Sequence, residues 1–199
     1  DIGRVMRMPF NEMTLLDYAI NASLVLSNAA ILKQDRAGML TFSKKCENHI
    51  VPEKNNKQMK IISDKLYGIT TNFEESDFGQ LYAFMRRKVN KRSLIFLYTN
   101  FETLDMLNRQ LPFLRMMAKS HIIVVVVFKN TELQDMAKEN ARNTIDIYNK
   151  IIAEKFIYEK SLIIQELNRN GLQTIYTAPE DLSIKSINKY LEIKARGHI

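Results

Sequence analysis

The sequence predicts an α/β fold in which an open, mostly parallel β-sheet carries helices on both faces. Two continuous apolar runs, at 93–98 and 122–128, are typical of central strands that are covered on both faces. Segments with apolar residues at helical spacing alternate with such runs, and this alternation favours a parallel sheet. Because no linker-like stretch divides the 199 residues, we expect a single domain over 1–199.

The other elements follow from periodicity and from the residues that begin or end them. Thr14 and Asp17 have the spacing of a capping box at a helix N-terminus, and Gly171 is a residue type that commonly ends a helix. Pro52, among lysines, is typical of an edge strand. The predicted order is helix 14–33, strand 37–42, edge strand 46–52, helix 57–67, helix 76–90, strand 93–98, helix 103–118, strand 122–128, helix 131–170 with a break near Asn140, strand 173–177 and helix 183–195.

The composition argues against several classes of protein. A single cysteine, Cys46, cannot form an internal disulfide, and the three histidines show no zinc-ligand spacing. The longest apolar run, 121–128, is far shorter than the roughly 20 residues that span a bilayer. We therefore expect that no part of residues 1–199 crosses a membrane. No glycine-rich phosphate loop or nucleophile elbow occurs. We therefore expect no catalytic residue.

The charge is strongly basic, with a net charge of +7. The densest cluster lies at 86–92 and has two interpretations. It is either a patch for nucleic acid or anionic membrane, or a helix end where cations complement the helix dipole. No aromatic residues interleave with these cations as stacking platforms would require, so we favour the second interpretation and expect no nucleic-acid partner.

Polar side chains are placed where the predicted strands end. Asn100 follows the strand at 93–98, Ser76 and Asp77 begin a helix, and Asp1 precedes the first helix. Sites in open α/β sheets form at the carboxyl ends of the strands, and oxygen atoms from several loops suit Mg²⁺ or Mn²⁺. The pattern thus predicts a metal site at these four residues. The alternative is that Asp1 and Asn100 cap the helices that follow them.

Several strings in the sequence resemble the bacterial domain-of-unknown-function 58 family, and the resemblance covers essentially the whole chain. The ending at 188–197 is the most specific match. The other matching strings are Asp1-x-Gly3-Arg4-x-Met6-Arg7, 16–22, 35–43, Arg92-Ser93-Leu94 leading into Thr99-Asn100, and His121 before the valine run.

That family is similar to von Willebrand factor type A domains, which implies a Rossmann-like, three-layer architecture. It further implies that Asp1 ends a first strand that is missing here, so that the chain is the C-terminal part of a longer protein. The resemblance also implies a metal-ion-dependent adhesion site, which normally reads Asp-x-Ser-x-Ser. Gly3 and Val5 stand at the two serine positions, and Asn100 replaces an aspartate. We therefore expect a degenerate site with Asp1 as its only matching carboxylate.

Relatives of this kind are often encoded beside MoxR-type AAA+ ATPases and are regarded as their adaptors. The resemblance implies a non-catalytic protein–protein interaction domain in the cytoplasm, tethered to the inner membrane by a segment upstream. We expect Arg4, Arg7 and Glu102 to form the partner-binding surface, with the Arg4 guanidinium paired to Asp1 in place of a metal. The rival hypothesis is a metal-dependent hydrolase with Asp1 and Asp77 as ligands.

Overall fold

The structure, a computed structural model, describes residues 1–55, 57–138 and 144–197. Helices and strands alternate along most of the chain, which confirms the mixed α/β class. The elements are a 3₁₀ turn (Arg4–Arg7), β1 (Pro9–Phe10), β2 (Met13–Thr14), α1 (Leu15–Leu32), β3 (Ala37–Met39), β4 (Ile50–Glu53), α2 (Lys57–Leu66), α3 (Phe78–Lys88), β5 (Leu94–Tyr98), α4 (Leu104–Ala118), β6 (Ile122–Phe128), α5 (Thr131–Lys138), α6 (Thr144–Arg169), β7 (Gln173–Thr177), a second 3₁₀ turn (Pro179–Asp181) and α7 (Leu182–Ala195).

The central sheet is parallel and has the order β5-β6-β7. Leu94 pairs with Ile122 at one end of the β5–β6 ladder, and Val124 pairs with Gln173 in the β6–β7 ladder. Two antiparallel hairpins accompany this sheet, one formed by β1 and β2 and one by β3 and β4. The prediction of a parallel sheet is therefore confirmed for three strands, whereas the von Willebrand factor A arrangement remains a prediction.

Side chains of the sheet alternate between two hydrophobic cores. Leu97, Ile123 and Val125 belong to the core that also contains buried residues of α3, α4 and α6. Val124 and Val126 belong to the opposite core, together with buried residues of α1 and α7. Helices thus cover both faces of the sheet, which explains why β6 consists almost wholly of buried apolar residues.

The helix ends agree with their sequence signals. Thr14 and Asp17 form the predicted capping box, in which each side chain bonds the other residue's backbone N–H. At the end of α6, Gly171 has a φ of +74°, and its N–H donates to the carbonyl of Asn168. The N–H of Leu172 donates to the carbonyl of Leu167, which completes a Schellman motif.

One hairpin and several bounds differ from the sequence prediction; the strand predicted at 37–42, for example, spans only Ala37–Met39. The β1–β2 hairpin was not predicted, because its strands are two residues long and give no periodic signal. The edge strand lies at Ile50–Glu53 rather than at 46–52, and it pairs antiparallel with β3. The predicted helix at 131–170 is described as α5 and α6, and the expected break at Asn140 lies outside the described residues.

By length and composition alone, α1 is apolar enough to cross a membrane, which the sequence analysis did not anticipate. The core helix of a soluble protein passes the same test. In this fold Leu16, Ala19 and Ala22 of α1 are buried in the core that covers one face of the sheet. The expectation that residues 1–199 do not cross a membrane therefore remains a prediction.

A polar cluster joins the segment after α1 to α7. The Asp35 carboxylate accepts hydrogen bonds from the Tyr190 hydroxyl and from Lys194 Nζ, the latter at 2.6 Å. Lys194 Nζ also donates to the carbonyl of Lys33. Burial raises the pKa of Asp35, but the hydrogen bonds from Lys194 and Tyr190 outweigh burial and hold that pKa below its ordinary value.

We expect Asp35→Asn to lower the free energy of unfolding at pH 7 by about 1 kcal/mol or less, because the ion pair is partly exposed. Since the pKa of Asp35 is lower in the folded than in the unfolded chain, its contribution is present above the unfolded pKa and lost as the pH falls through the folded pKa. Urea unfolding between pH 7 and pH 2 measures this. Asp64→Asn, at an exposed carboxylate in α2, is the control. A difference from wild type that stays constant with pH would contradict the assignment.

Candidate functional site

The carboxylate of Asp1 joins three segments of the chain where β5 ends. Its Oδ1 atom accepts hydrogen bonds from the Gly3 N–H at 2.8 Å and from Ser76 Oγ at 2.5 Å. Its Oδ2 atom accepts from Thr99 Oγ1 at 2.6 Å. We call Asp1, Ser76 and Thr99 the oxygen cluster. It lies at the carboxyl end of β5, as the sequence predicted for Asp1 and Ser76.

Gly3 permits this close approach because it has no side chain. A Cβ atom at Gly3 would collide with Ser76 Oγ and would lie 3.1 Å from Asp1 Oδ1. The Ser76 hydroxyl therefore fills the space beside Gly3. A serine at this position, as in the adhesion-site pattern, would not fit without moving Ser76.

Asn100 contacts a lysine from a distant helix. Lys160 of α6 donates from Nζ to Asn100 Oδ1 at 2.8 Å and to the carbonyl of Phe101 at 2.5 Å. Burial lowers the pKa of Lys160 to about 8, and the charge of Glu102 partly opposes this change. Asn100 does not cap α4, because Thr103 Oγ1 accepts from the Met106 N–H there. A lysine cation thus occupies the amide oxygen that the sequence assigned to a metal.

The remaining candidates make other contacts. Asp77 caps α3, with Oδ1 accepting from the Gln80 N–H at 2.9 Å. The Arg4 guanidinium forms a 3.1 Å ion pair with Glu75, so the expected pairing of Arg4 with Asp1 is not what the structure shows.

Arg7 and Glu102 are both exposed near the cluster. The Arg7 guanidinium lies 4.4 Å from the centre of the Phe73 ring, which is itself exposed. Glu102 follows Phe101 at the end of β5 and is exposed. Arg4, Arg7 and Glu102 are therefore exposed charged residues on the two segments that contribute Asp1 and Thr99 to the oxygen cluster, and Arg4 also lines the cavity beside it.

A small cavity of about 60 Å³ opens beside the oxygen cluster. Asp1, Ser76, Thr99 and Asn100 line it, and Arg109 contributes from α4. A buried water needs about 10–15 Å³ of such space, so the cavity has room for a small hydrated ion or a few waters.

The oxygen atoms at this site are of the kind that a hard cation prefers, but the site carries too little negative charge for one. Hydroxyl, amide and carboxylate oxygens are the ligands that Mg²⁺ and Mn²⁺ prefer. Among the residues that the structure describes, no group of three His, Cys, Asp or Glu side chains is placed to hold a metal. The Lys160 ammonium on Asn100 would also repel a cation at this position.

The α-amino group of Asp1 is buried, and burial lowers its pKa to about 5. The backbone of Ile2 is held on both sides. Its N–H donates to the Phe42 carbonyl at 2.8 Å, and its carbonyl accepts from the Asn72 N–H at 3.0 Å. Asp1 is therefore fixed by its backbone neighbour as well as by its side chain.

Sequence reasoning missed Thr99 and Lys160. Thr99 stands beside Asn100 at a strand end, so a search for hydroxyl groups next to the chosen residue would have found it. Lys160 gives no such signal, because it is one of several lysines in a long helix and reaches Asn100 only through the packing of α6. In the basic cluster at 86–92, the first three residues form the last turn of α3, where cations complement the helix dipole.

Comparisons with known proteins do not place the chain in a family. No protein-family model matches it, and no curated protein matches it.

We expect Gly3→Ala to lower the free energy of unfolding by about 1–3 kcal/mol through overpacking against Ser76. Ser76→Ala, which removes a hydrogen bond to Asp1, should cost about 1 kcal/mol. The double variant should cost less than the sum, because the missing Ser76 hydroxyl makes room for the new methyl group. Urea unfolding measures all three variants.

Gly68→Ala is the matched control, because a Cβ atom there meets nothing within 4 Å. Additive effects of the two substitutions would show that Gly3 and Ser76 do not compete for the same space.

Proposed function

We propose that this chain is a non-catalytic protein–protein interaction domain that contacts its partner at the carboxyl ends of the strands. The observation that carries the proposal is a helix segment beside the oxygen cluster that exposes large apolar side chains. The resemblance of this chain to the domain-of-unknown-function 58 family implies that the partner is a MoxR-type AAA+ ATPase. It also implies that the domain works in the bacterial cytoplasm, tethered to the inner membrane by an upstream segment. Family membership is itself part of this proposal.

The position of α6 supports the proposal. Lys160 reaches Asn100 and Phe101, and the Glu159 carboxylate accepts from the Leu104 N–H at 3.1 Å. Residues 159–160 therefore lie level with the end of β5. Further along the helix, Ile163 and Leu167 are buried against the sheet. The preceding part of α6, 144–158, therefore extends past the strand ends for about 22 Å at about 1.5 Å per residue.

This N-terminal half of α6 exposes apolar side chains. Six large apolar residues there are between 43% and 70% exposed: Ile145, Ile147, Tyr148, Ile151, Phe156 and Tyr158. Ile147, Ile151 and Tyr158 are four and seven residues apart and share one side of the helix. Exposed apolar surface of this kind, next to charged residues, is typical of protein-binding sites. The charged residues of the site are Arg4, Arg7 and Glu102.

The rival hypothesis, a metal-dependent hydrolase, receives no support from the arrangement of Asp77. That carboxylate is the second ligand that the hypothesis requires, and it is engaged in capping α3. We therefore retain the interaction domain as the proposed function.

We expect purified protein to form a complex with a MoxR-type ATPase encoded in the same genome. Ile151→Asp should weaken this complex at least about tenfold, because it places a charge within the apolar face of α6. Titration calorimetry measures the affinity. Ile184→Asp on α7 is the control, since Ile184 is similarly exposed but lies on another helix. Equal weakening by both variants would exclude α6 as the binding face.

We further propose that the oxygen cluster binds Mg²⁺ or Mn²⁺ weakly, and that the Lys160 charge limits this binding. Lys160→Met should therefore strengthen Mn²⁺ binding, and Asp1→Ala should abolish it, because Asp1 is the carboxylate of the cluster. Calorimetric titration with MnCl₂ measures both effects. Lys155→Met, at an exposed lysine of α6, controls for the loss of one positive charge. Unchanged affinity in Lys160→Met, or binding that survives in Asp1→Ala, would contradict this assignment.

A further inference from the structure

Positively charged residues gather at the amino ends of the strands, opposite the oxygen cluster. Residues 86–92 lead from α3 into β5, and Arg115 and Lys119 lead from α4 into β6. The Ile122 N–H donates to the Ser93 carbonyl at 2.9 Å, so the amino ends of β5 and β6 are adjacent. Two neighbouring connections on this edge of the sheet therefore both carry positive charge.

The end of α1 lies at the same edge of the sheet. The first N–H of α1 donates to the carbonyl of Met8, whose sulfur contacts the amide of Asn100 at the carboxyl end of β5. From there α1 runs along one face of the sheet, and its 18 residues span about 27 Å at about 1.5 Å each. It therefore ends near the amino ends of the strands, where Lys33 and Arg36 follow it.

We call the exposed cations at this edge the amino-end face. Within the part of the chain that the structure describes, none of them takes part in an ion pair. Arg36, Lys91 and Arg92 lie outside the helices, so the helix dipole accounts for only some of these charges. The face consists of nine residues: Lys33, Arg36, Arg86, Arg87, Lys88, Lys91, Arg92, Arg115 and Lys119.

Carboxylates at this edge leave the positive charge largely unbalanced. Glu53, which pairs with Ala37 at the start of β3, offsets one charge of the face at most. At the opposite edge the first turns of α4 and α5 carry Asp105 and Glu132 instead. Three further carboxylates near the face pair with cations outside it, as Asp35–Lys194, Glu166–Arg169 and Glu192–Arg196.

An exposed apolar side chain stands among these cations. Leu32, the last residue of α1, is 73% exposed and directly precedes Lys33. No aromatic residue occurs in 32–36, 86–92 or 115–119, although proteins that bind single-stranded nucleic acid commonly stack its bases on aromatic rings. Cations that flank an exposed apolar side chain suit a lipid surface, where phosphate groups lie above hydrocarbon.

We propose that the amino-end face binds the surface of an anionic lipid bilayer. The nine cations lie against the phosphate headgroups, and Leu32 enters the headgroup region. The contact is peripheral, and it turns the oxygen cluster and the exposed half of α6 away from the lipid. This inference does not rest on the proposed function, because the two surfaces are at opposite ends of the strands.

The test measures co-sedimentation of the 199-residue chain with two kinds of vesicle. One contains phosphatidylglycerol and phosphatidylcholine in equal parts, and the other contains phosphatidylcholine alone. The variant Lys91→Gln/Arg92→Gln removes two cations from the face. The matched control, Lys44→Gln/Lys45→Gln, removes two exposed lysines at the other end of the strands, close to Phe42, which accepts from the Ile2 N–H.

We expect binding to the anionic vesicles and not to the neutral ones. Lys91→Gln/Arg92→Gln should weaken this binding at least about tenfold, and the lysine control should weaken it less than about threefold, because the attraction falls off within about 10 Å of the lipid in 0.1 M salt. Equal weakening by the two double variants would overturn the proposal. Absence of binding to the anionic vesicles, or equally strong binding to the neutral ones, would also overturn it.

Leu32→Ala tests the apolar part of the contact. It should weaken binding to the anionic vesicles about threefold or more, because less apolar surface enters the lipid. Ile184→Ala, at a similarly exposed residue in the first turn of α7, is the control and should bind as wild type does. Unchanged binding of Leu32→Ala would contradict the insertion of Leu32.

A parallel arm measures fluorescence anisotropy of labelled single-stranded and duplex RNA in the same buffer. If either RNA binds more tightly than the anionic vesicles, and Lys91→Gln/Arg92→Gln abolishes that binding, the face belongs to nucleic acid and the proposal is wrong. All substituted side chains are exposed, so the urea midpoints of the variants should match that of wild type.

Discussion

Burial of β6 on both faces is the constraint on which the rest of the structure depends. Val124 to Val127 are at most 1% exposed, and their side chains alternate between two separate cores. Burial of apolar surface stabilises the fold by about 25 cal/mol per Å², and an uncovered face of this strand would lose that stabilisation. Helices therefore cover both of its faces. The positions of α1 and α7 on one face and of α4 and α6 on the other follow. The same arrangement brings Lys160 of α6 to the end of β5.

The elements that the sequence predicted well are those with strong local signals. The valine run of β6, the capping box at Thr14 and the glycine at 171 each depend on neighbouring residues only, and each lies where it was predicted. The β1–β2 hairpin escaped prediction because two-residue strands carry no periodicity, and its turn uses Asn11 and Glu12 at positive φ rather than glycine.

The candidate site was predictable only in part, for a physical reason. Asp1 and Ser76 could be expected to meet near the end of β5, because sites in open α/β sheets form from the loops at the carboxyl ends of the strands. The partners of Asn100 and Arg4 depend on tertiary contacts. Asn100 contacts Lys160, 60 residues away in the sequence, and Arg4 pairs with Glu75, 71 residues away. As a result, hydroxyl groups bond the Asp1 carboxylate and a lysine bonds the Asn100 amide oxygen, the two groups for which the sequence predicted a metal ion.

The exposed apolar side chains in the N-terminal half of α6 affect how the protein behaves at high concentration. Its exposed isoleucine and tyrosine side chains favour contact between copies of the chain, while the net charge of +7 makes those copies repel one another. In dilute buffer the repulsion reaches over tens of ångströms, but at about 1 M salt the screening length falls to about 3 Å. Colloidal stability of this protein therefore depends on ionic strength, and a concentrated salt solution removes the charge barrier that keeps the helices of separate molecules apart.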